Sequence, residues 1–153
     1  MSQATNTLPA RALSAGPALT EIGFGGAQLG NLYHAVDDAT AHASFDAAWA
    51  GGVRYFDTAP HYGLGLSERR LGEYLADKPR TDYVLSTKVG RLLVARPGGA
   101  EARDDEGFDV PAAYRRVWDF SRDGVLRSLE ASLERLGLDH VDLVYVHDPD
   151  DHW

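Results

Sequence analysis

The chain has 153 residues, of which 44% are apolar and 25% charged, and its formal net charge is −8. This length and composition predict one globular domain, and the acidic surplus argues against nucleic acid as a partner, because phosphate binding requires clustered lysine and arginine. Cysteine is absent, which excludes disulfides and thiolate zinc sites, and no apolar stretch suits a signal peptide or a membrane span, so we expect a cytoplasmic protein without a membrane partner.

The first half of the sequence alternates predicted strands and helices. The first strand ends in glycines, the first helix opens with acids and ends in a glycine pair, and the second strand is aromatic and β-branched. Before them, an N-terminal extension over 1–18 favours a small hairpin around "SAG". The predicted elements are a strand over 19–26, a helix over 37–52, a strand over 53–57, a helix over 66–77 and a strand over 83–88.

The second half begins with a long connection over 89–120, whose length predicts either a disordered segment or a functional lid. The next helix begins after Ser121, a suitable N-cap, and ends at Gly137. Its apolar residues are spaced for a single buried stripe, namely Val125, Leu126, Leu129, Leu133 and Leu136. The last predicted strand, 141–147, is almost continuously apolar, which predicts that both of its faces are covered.

Polar side chains follow three of the predicted strands. The order β-α-β-α-β-loop-α-β predicts parallel strands joined by right-handed helical crossovers, and such folds bind ligands at the carboxyl ends of their strands. Those ends carry Asp57, Lys88 and His147, and Tyr62 lies in the loop after Asp57. Each residue alone has an ordinary explanation as a solvated charge, a loop anchor or a satisfied histidine. All four at one rim indicate a catalytic site.

These four side chains suit proton transfer to or from a carbonyl or hydroxyl oxygen. A tyrosine hydroxyl is a weak acid, and a neighbouring ammonium group favours its ionised form. A carboxylate can hold the lysine in place, and a histidine can donate a hydrogen bond that positions a substrate oxygen. The set predicts an oxidoreductase that needs a separate hydride carrier, because no side chain here supplies hydride.

Three stretches resemble the aldo-keto reductase family. They are "FDTAPHYG" with Asp57 and Tyr62, "LSTKVG" with Lys88, and "SRDGVLRSLEASLERLGLDHVDLVYVH", which ends at His147. The resemblance implies a (β/α)8 TIM barrel in which these four residues are catalytic and NADP or NAD is the cofactor. It also implies that the nicotinamide is contacted by Asp57 and by the glycine-rich end of the first strand, namely Gly25, Gly26 and Ala27.

Within that family, "FDTAPHYGLGLSERRLG" and "VHDPDD" look most like the branch that oxidises free sugars. These are the galactose, fucose or threo-aldose 1-dehydrogenases, with pyridoxal dehydrogenase-like members alongside. They remove hydride from the hemiacetal carbon and give a lactone. The resemblance therefore implies a small sugar, aldehyde or ketone as the substrate.

The resemblance covers only part of the family's fold. The barrel needs about 250 residues, whereas residues 19–153 match its first four β/α units, a half-barrel of parallel strands. We therefore expect the first and fourth strands to present unpaired edges. The isolated 153-residue chain is expected to be inactive and to self-associate through those edges.

Three other interpretations remain open. "GFGGAQLG" approaches the dinucleotide-binding fingerprint of a different nicotinamide fold, but counted from Gly23 the third glycine position is Gln28, and no helix follows at once. The tail "HDPDDHW" with His61 offers ligands to a metal-dependent hydrolase, although we expect no metal site and expect His61 to be a bystander or a substrate-loop residue. A half-barrel could also be an interaction module or an inactive relic.

Overall fold

The computed structural model describes residues 8–151, which form strands, α-helices and short 3-10 turns. The α-helices are α1 (Asp38–Ala50), α2 (Leu66–Leu75) and α3 (Arg122–Leu136). The strands are β1 (Ala10–Ala12), β2 (Ala18–Thr20), β3 (Phe24–Gly25), β4 (Tyr55–Asp57), β5 (Val84–Val89), β6 (Arg91–Ala95), β7 (Tyr114–Trp118) and β8 (Leu143–Val146).

A four-stranded parallel sheet organises the molecule. Its strand order is β3-β4-β5-β8, and all three pairings are parallel. The helices α1, α2 and α3 connect successive strands of this sheet in chain order. The predicted parallel β/α architecture is therefore confirmed, and the carboxyl ends of all four strands lie at the same end of the sheet.

The hydrophobic core lies between the helices and one face of the sheet, which we call the outer face. Phe45 of α1 stacks on Tyr74 of α2, with ring centroids 4.8 Å apart, and Phe56 of β4 packs beside them. The fully or almost fully buried members of this core include Phe45, Phe56, Leu71, Leu75, Leu85 and Leu136. Burying each such side chain contributes about 1.5–3 kcal/mol, so this face supplies most of the hydrophobic stabilisation.

One buried carboxylate ties the helix layer to the sheet. Glu68 of α2 is fully buried and accepts a hydrogen bond from Thr87 Oγ1 of β5 at 2.8 Å. Its other oxygen accepts from Arg135 Nε of α3 at 2.6 Å. A buried charge is tolerated when it is paired and hydrogen-bonded, so Glu68 fixes α2, α3 and β5 relative to one another.

The helix ends follow the capping signals of the sequence. Asp37 accepts a hydrogen bond from the Thr40 amide at 2.7 Å, and Ser121 accepts from the Gly124 amide at 3.1 Å. α3 ends at Gly137, whose φ of +66° is a left-handed conformation that glycine adopts without strain. These predicted boundaries are confirmed to within two residues.

The predicted apolar stripe of α3 is only partly correct. Leu136 is buried, but Leu126 is 41% exposed. The buried residues of α3 instead recur at intervals of four and include three small ones, Gly124, Ser128 and Ser132, followed by Leu136. α3 approaches α2 closely, because a Cβ at Gly72 of α2 would collide with the Leu136 carbonyl. Small side chains permit that distance, and a pattern of large apolar residues does not reveal it.

The predictions for the first and last strands also need correction. The stretch 19–26 is not one strand, because β2 pairs with β1 in the expected small antiparallel hairpin and β3 begins only at Phe24. β8 is not covered on both faces within residues 8–151. It pairs with β5 on one side only, and Val146 is 54% exposed. β8 is therefore an edge strand with an apolar sequence.

The long connection over 89–120 is ordered. It forms an antiparallel hairpin of β6 and β7, with Arg91 opposite Trp118 and Ala95 opposite Tyr114. The turn region packs back on the molecule through a bridge between Leu32 and Phe108. Disorder is therefore the wrong alternative for this segment, which we call the rim hairpin (residues 91–118).

Candidate active site

Two neighbouring strands bring Asp57 and Lys88 together. Asp57 is the last residue of β4, and Lys88 lies near the end of β5. Lys88 Nζ donates to Asp57 Oδ2 at 2.5 Å and to the Thr58 carbonyl at 3.1 Å. Both side chains are largely buried, which strengthens the attraction between them. The lysine is therefore held in one position at the carboxyl end of the sheet.

Ser86 completes the hydrogen bonding of Asp57, although it was not among the site residues predicted from the sequence. Ser86 Oγ donates to Asp57 Oδ1 at 2.6 Å, so each carboxylate oxygen has its own partner. A signal was available, because Ser86 lies two residues before Lys88 and therefore faces the same side of β5. The parallel register also places Ser86 opposite Asp57.

Tyr55 extends this network across the inner face of the sheet. Its hydroxyl lies 3.0 Å from Ser86 Oγ and 3.2 Å from the hydroxyl of Tyr145 on β8. Burial raises the pKa of Tyr55 to about 12. Tyr55 therefore remains protonated at neutral pH and serves as a structural hydrogen-bonding group beside the Asp57–Lys88 pair.

The loop after β4 carries Tyr62 to the same place. The centroid of the Tyr62 ring lies 4.9 Å from Lys88 Nζ. The loop presses against Gly30, where a Cβ would meet the backbone of Tyr62 and Gly63. Gly63 itself has a φ of +62°, which a larger residue would adopt only with strain. Backbone packing on both sides of the contact therefore fixes the position of Tyr62.

His147 follows β8 and is 7% exposed. Its ring is edge-on to that of Tyr62, with centroids 6.0 Å apart. Burial, with a smaller contribution from the Arg91 guanidinium, lowers the pKa of His147 to about 4. The imidazole is therefore neutral at physiological pH, a state in which one nitrogen donates and the other accepts a hydrogen bond.

His61 belongs to the same group of rings. Its centroid lies 5.4 Å from that of His147 and 6.1 Å from that of Tyr62. Burial, followed by the nearby Arg116 and Arg91 charges, lowers the pKa of His61 to about 3. His61 is thus a second neutral imidazole in contact with two of the predicted site residues, although the sequence alone gives it no role.

The rim hairpin borders the site with two buried arginines that the sequence analysis did not identify. Arg91 is bonded to Asp148, the residue after His147. Arg116 forms two bonds to Asp104, of 2.5 and 3.0 Å, and donates to the His61 carbonyl at 3.0 Å. The hairpin is therefore anchored both to the Tyr62 loop and to the segment that carries His147.

The residues expected to contact a nicotinamide lie in different environments, some exposed and some buried. Gly25 is exposed, with open space where a side chain would stand. Gly26 is buried, donates to the Asp57 carbonyl at 2.7 Å and accepts from Ser67 Oγ at 2.7 Å. Gly26 is thus bonded to β4 and α2, and Ala27 is half-buried. Gly25 and Asp57 instead face the inner side of the sheet, opposite to the helices.

An open cleft of about 470 Å³ lies on that inner side. Its lining includes Phe24, Gly25, Asp57, Lys88 and Tyr145. The bare backbone at Gly25 leaves room for a flat ring beside the Asp57–Lys88 pair, so these residues fit a nicotinamide. A second cavity, of about 440 Å³ near Asn31 and Val110, contains none of the predicted catalytic residues.

The geometry gives little support to the metal-site and dinucleotide-fingerprint interpretations. In residues 8–151, no three potential ligands among histidine, aspartate and glutamate are grouped to hold a metal ion, and His152 lies outside this range. The glycines from Gly23 onward lead into a single 3-10 turn, and the first α-helix begins only at Asp38. No helix in the described part of the chain is long and apolar enough to cross a membrane.

Comparison with known proteins relates this arrangement to named enzymes. The chain is 51% identical to D-threo-aldose 1-dehydrogenase of Pseudomonas sp. over 152 residues, which cover 97% of the chain and 45% of that protein. It is 44% identical to pyridoxal 4-dehydrogenase of Microbacterium luteolum (87% and 41% covered) and 36% identical to L-galactose dehydrogenase of Arabidopsis thaliana (87% and 35% covered). The chain thus spans less than half the length of these curated relatives.

Solved structures agree with this relationship. The holo form of an aldo-keto reductase from Bacillus halodurans superimposes with a TM-score of 0.68 at 30% identity, covering 94% of this chain and 43% of that one. An aldo-keto reductase from Klebsiella pneumoniae in complex with NADPH gives 0.58 at 25% identity, covering 85% and 36%.

The sequence profile of the Aldo/keto reductase family matches residues 21–153. The four parallel strands and three helices correspond to half of that family's (β/α)8 barrel, as expected from the sequence. The chain therefore belongs to the aldo/keto reductase family.

Proposed function

We propose that this protein is an NAD(P)-dependent oxidoreductase that transfers hydride between nicotinamide and the hemiacetal carbon of an aldose, giving a lactone. The observation that carries the proposal is the Lys88 ammonium, held 2.5 Å from Asp57 Oδ2 and 4.9 Å from the centroid of the Tyr62 ring. The 51% identity to D-threo-aldose 1-dehydrogenase supports the choice of a sugar. A simple aldehyde or ketone is the alternative substrate class.

Tyr62 is the proton-transfer group in this proposal. In sugar oxidation its oxygen takes the proton of the anomeric hydroxyl, and in carbonyl reduction it gives that proton back. The Lys88 ammonium lies 4.9 Å from the centroid of the Tyr62 ring, and Asp57 keeps the ammonium in place. Asp57 is itself held by Ser86, so the lysine cannot swing away with its partner.

His147 positions the substrate oxygen. A neutral imidazole donates one hydrogen bond without adding a positive charge next to the ammonium of Lys88. Its burial beside the Tyr62 ring restricts the oxygen to a position close to the phenol. Positioning of this kind lowers the entropic part of the barrier.

A nicotinamide cofactor, NADP or NAD, would supply the hydride acceptor or donor. Gly25 and Asp57 would contact its ring in the inner cleft. Asp57 would then combine two functions, since it also holds Lys88. The remaining contacts of the dinucleotide fall outside the residues described above.

Barrel closure forms a further part of the proposal. The isolated 153-residue chain is expected to self-associate, because the apolar edge strand β8 is exposed. An interaction module is the competing function, and the exposed edge favours it. Titration of NAD and NADP against the protein, with fluorescence as the readout, separates the oxidoreductase from the interaction module. A module without a cofactor site shows no saturable quenching.

The test of the catalytic proposal is Tyr62→Phe in a full-length form of the protein, in which a second half completes the barrel. We expect aldose-dependent reduction of NAD(P) to fall by about 10²- to 10⁴-fold, the usual contribution of a general acid–base group. Cofactor affinity should stay within about twofold, because the phenol hydroxyl acts on the substrate oxygen.

Tyr33→Phe is the matched control, because Tyr33 is 72% exposed, and it should leave turnover unchanged. Turnover of the Tyr62→Phe variant within tenfold of the parent would contradict the role of Tyr62. A parent protein that oxidises no aldose with either cofactor would contradict the substrate class.

A further inference from the structure

The turn of the rim hairpin brings a carboxylate to the edge of the ring cluster formed by His61, Tyr62 and His147. Glu106 Oε2 lies 3.7 Å from His61 Nδ1 and 4.0 Å from Arg91 Nη1, and its Oε1 lies 3.5 Å from Arg116 Nη1. The side chain is 36% exposed. Glu106 is therefore held among cationic and aromatic groups while one side remains open to solvent.

The three contacts leave the acceptor capacity of Glu106 unused. Two are ion-pair distances to arginines and the third is to the neutral His61 ring, and all are longer than the ~2.7–3.2 Å that is typical of hydrogen bonds. Asp104 provides a contrast on the same hairpin, because it is 3% exposed and both of its oxygens accept short bonds from Arg116. Asp104 is thus a structural partner, whereas Glu106 is oriented by charge without being saturated.

Glu106 is also close to the groups that carry the proposed chemistry. The ring of His61, which lies 3.7 Å from Glu106, contacts the rings of both Tyr62 and His147. Arg91, which lies 4.0 Å from Glu106, is bonded to Asp148, the residue after His147. One side chain therefore separates the Glu106 carboxylate from two of the four catalytic candidates.

We propose that Glu106 is a specificity-determining residue that accepts hydrogen bonds from substrate hydroxyl groups remote from the reacting carbon. A carboxylate with free lone pairs prefers hydroxyl donors, and a polyhydroxylated substrate presents several of them along one chain or ring. The flanking arginines, 3.5 and 4.0 Å away, hold the carboxylate in place, which reduces the entropy lost on binding. The inference rests on the proposed function, because it assigns the hydroxyl-recognising part of the same site.

The test compares substrates that differ in their hydroxyl groups. In the full-length form, Glu106→Gln and Glu106→Ala are assayed with an aldose and with a small aldehyde that carries no hydroxyl group. We expect kcat/KM for the aldose to fall about 10- to 100-fold in the alanine variant, mainly through KM, as for a lost hydrogen bond to a charged group. The glutamine variant, which keeps one acceptor oxygen, should lose less. The aldehyde should react within about twofold of the parent rate.

Asp105→Ala is the control, since it removes an exposed carboxylate from the neighbouring position and should change neither substrate. Equal losses for the aldose and the aldehyde would show that Glu106 only supports the hairpin, and an unchanged KM for the aldose would exclude the contact. Either result overturns this inference while the parent remains active. Failure of the parent on both substrates would instead contradict the proposed function.

Discussion

The two borders of the candidate site are built in opposite ways. On the rim hairpin, charges are buried and paired, as in the bonds of Arg116 to Asp104 and to the His61 carbonyl. On the side of β8, Val146 and Tyr145 are apolar or aromatic and exposed. The hairpin thus anchors the Tyr62 loop and the segment after His147 through its buried arginines, whereas β8 is an exposed edge strand of the sheet.

The largest expected effect comes from breaking the buried charge pair on the hairpin. Arg116→Met leaves Asp104 buried without a partner, which costs about 3–5 kcal/mol in comparable cases. We expect this loss in the free energy of unfolding, measured by urea denaturation of the isolated chain in dilute solution. The double variant Arg116→Met/Asp104→Leu should recover much of the loss, because no unpaired charge then remains.

Arg115→Met is the control for that experiment. Arg115 is exposed and adjacent in sequence, so its replacement should change stability by less than about 0.5 kcal/mol. Equal effects at positions 115 and 116 would show that burial of the pair contributes nothing, and the contrast between the two borders would then disappear.

Acidification is expected to destabilise the folded state as well. The folded state holds His61 and His147 with pKa values lowered to about 3 and 4, whereas an unfolded histidine titrates near 6.5. The unfolded state therefore binds more protons below pH 6.5, and stability falls as the pH is lowered from 6.5 towards 4. Urea midpoints measured across this range should decline.

The histidine contribution can be isolated by substitution. His147→Gln should flatten the decline between pH 6.5 and 4, because one of the two titrating groups is gone. His140→Gln, at a well-exposed site, should leave the slope unchanged. A slope that is identical in the parent and in both variants would mean that carboxylates alone produce the acid sensitivity.

The smallest effect on stability is expected at the unpaired edge of β8, where a substitution should nevertheless change self-association measurably. Val146→Lys places a charge on the exposed strand, which should weaken self-association of the isolated chain in sedimentation experiments. Monomer stability should change by less than about 0.5 kcal/mol. Val94→Lys, at an exposed valine of the rim hairpin, is the matched control. Association weakened equally by both variants would point to net charge rather than to the edge.

The sequence predicts the parallel β/α order and the helix caps because these depend on local signals. Ser121 and Gly137 bound α3 as expected, and Asp57 and Lys88 meet because parallel strands end at one edge. The buried face of α3 could not be predicted, since Ser128 and Ser132 are small polar residues that become buried through tertiary packing.

The parts of the site that escape prediction depend on contacts across long sequence separations. Arg116 reaches the carbonyl of His61, 55 residues earlier, and no local pattern encodes this bond. The same holds for the contact of Gly30 with the Tyr62 loop. By contrast, the position of Ser86 beside Asp57 can be predicted from strand alternation and register once Asp57 and Lys88 are recognised.

The buried Glu68 limits where strand–helix units could be exchanged between this protein and related barrels. β/α barrels invite exchange of single strand–helix units, with cut points placed in the loops between units. Here one carboxylate serves three consecutive units, since it lies on α2 and is bonded to Thr87 of β5 and to Arg135 of α3. A cut between α2 and β5 would separate the buried Glu68 carboxylate from both of its partners, Thr87 and Arg135. The smallest exchangeable module of this protein therefore runs from α2 to α3.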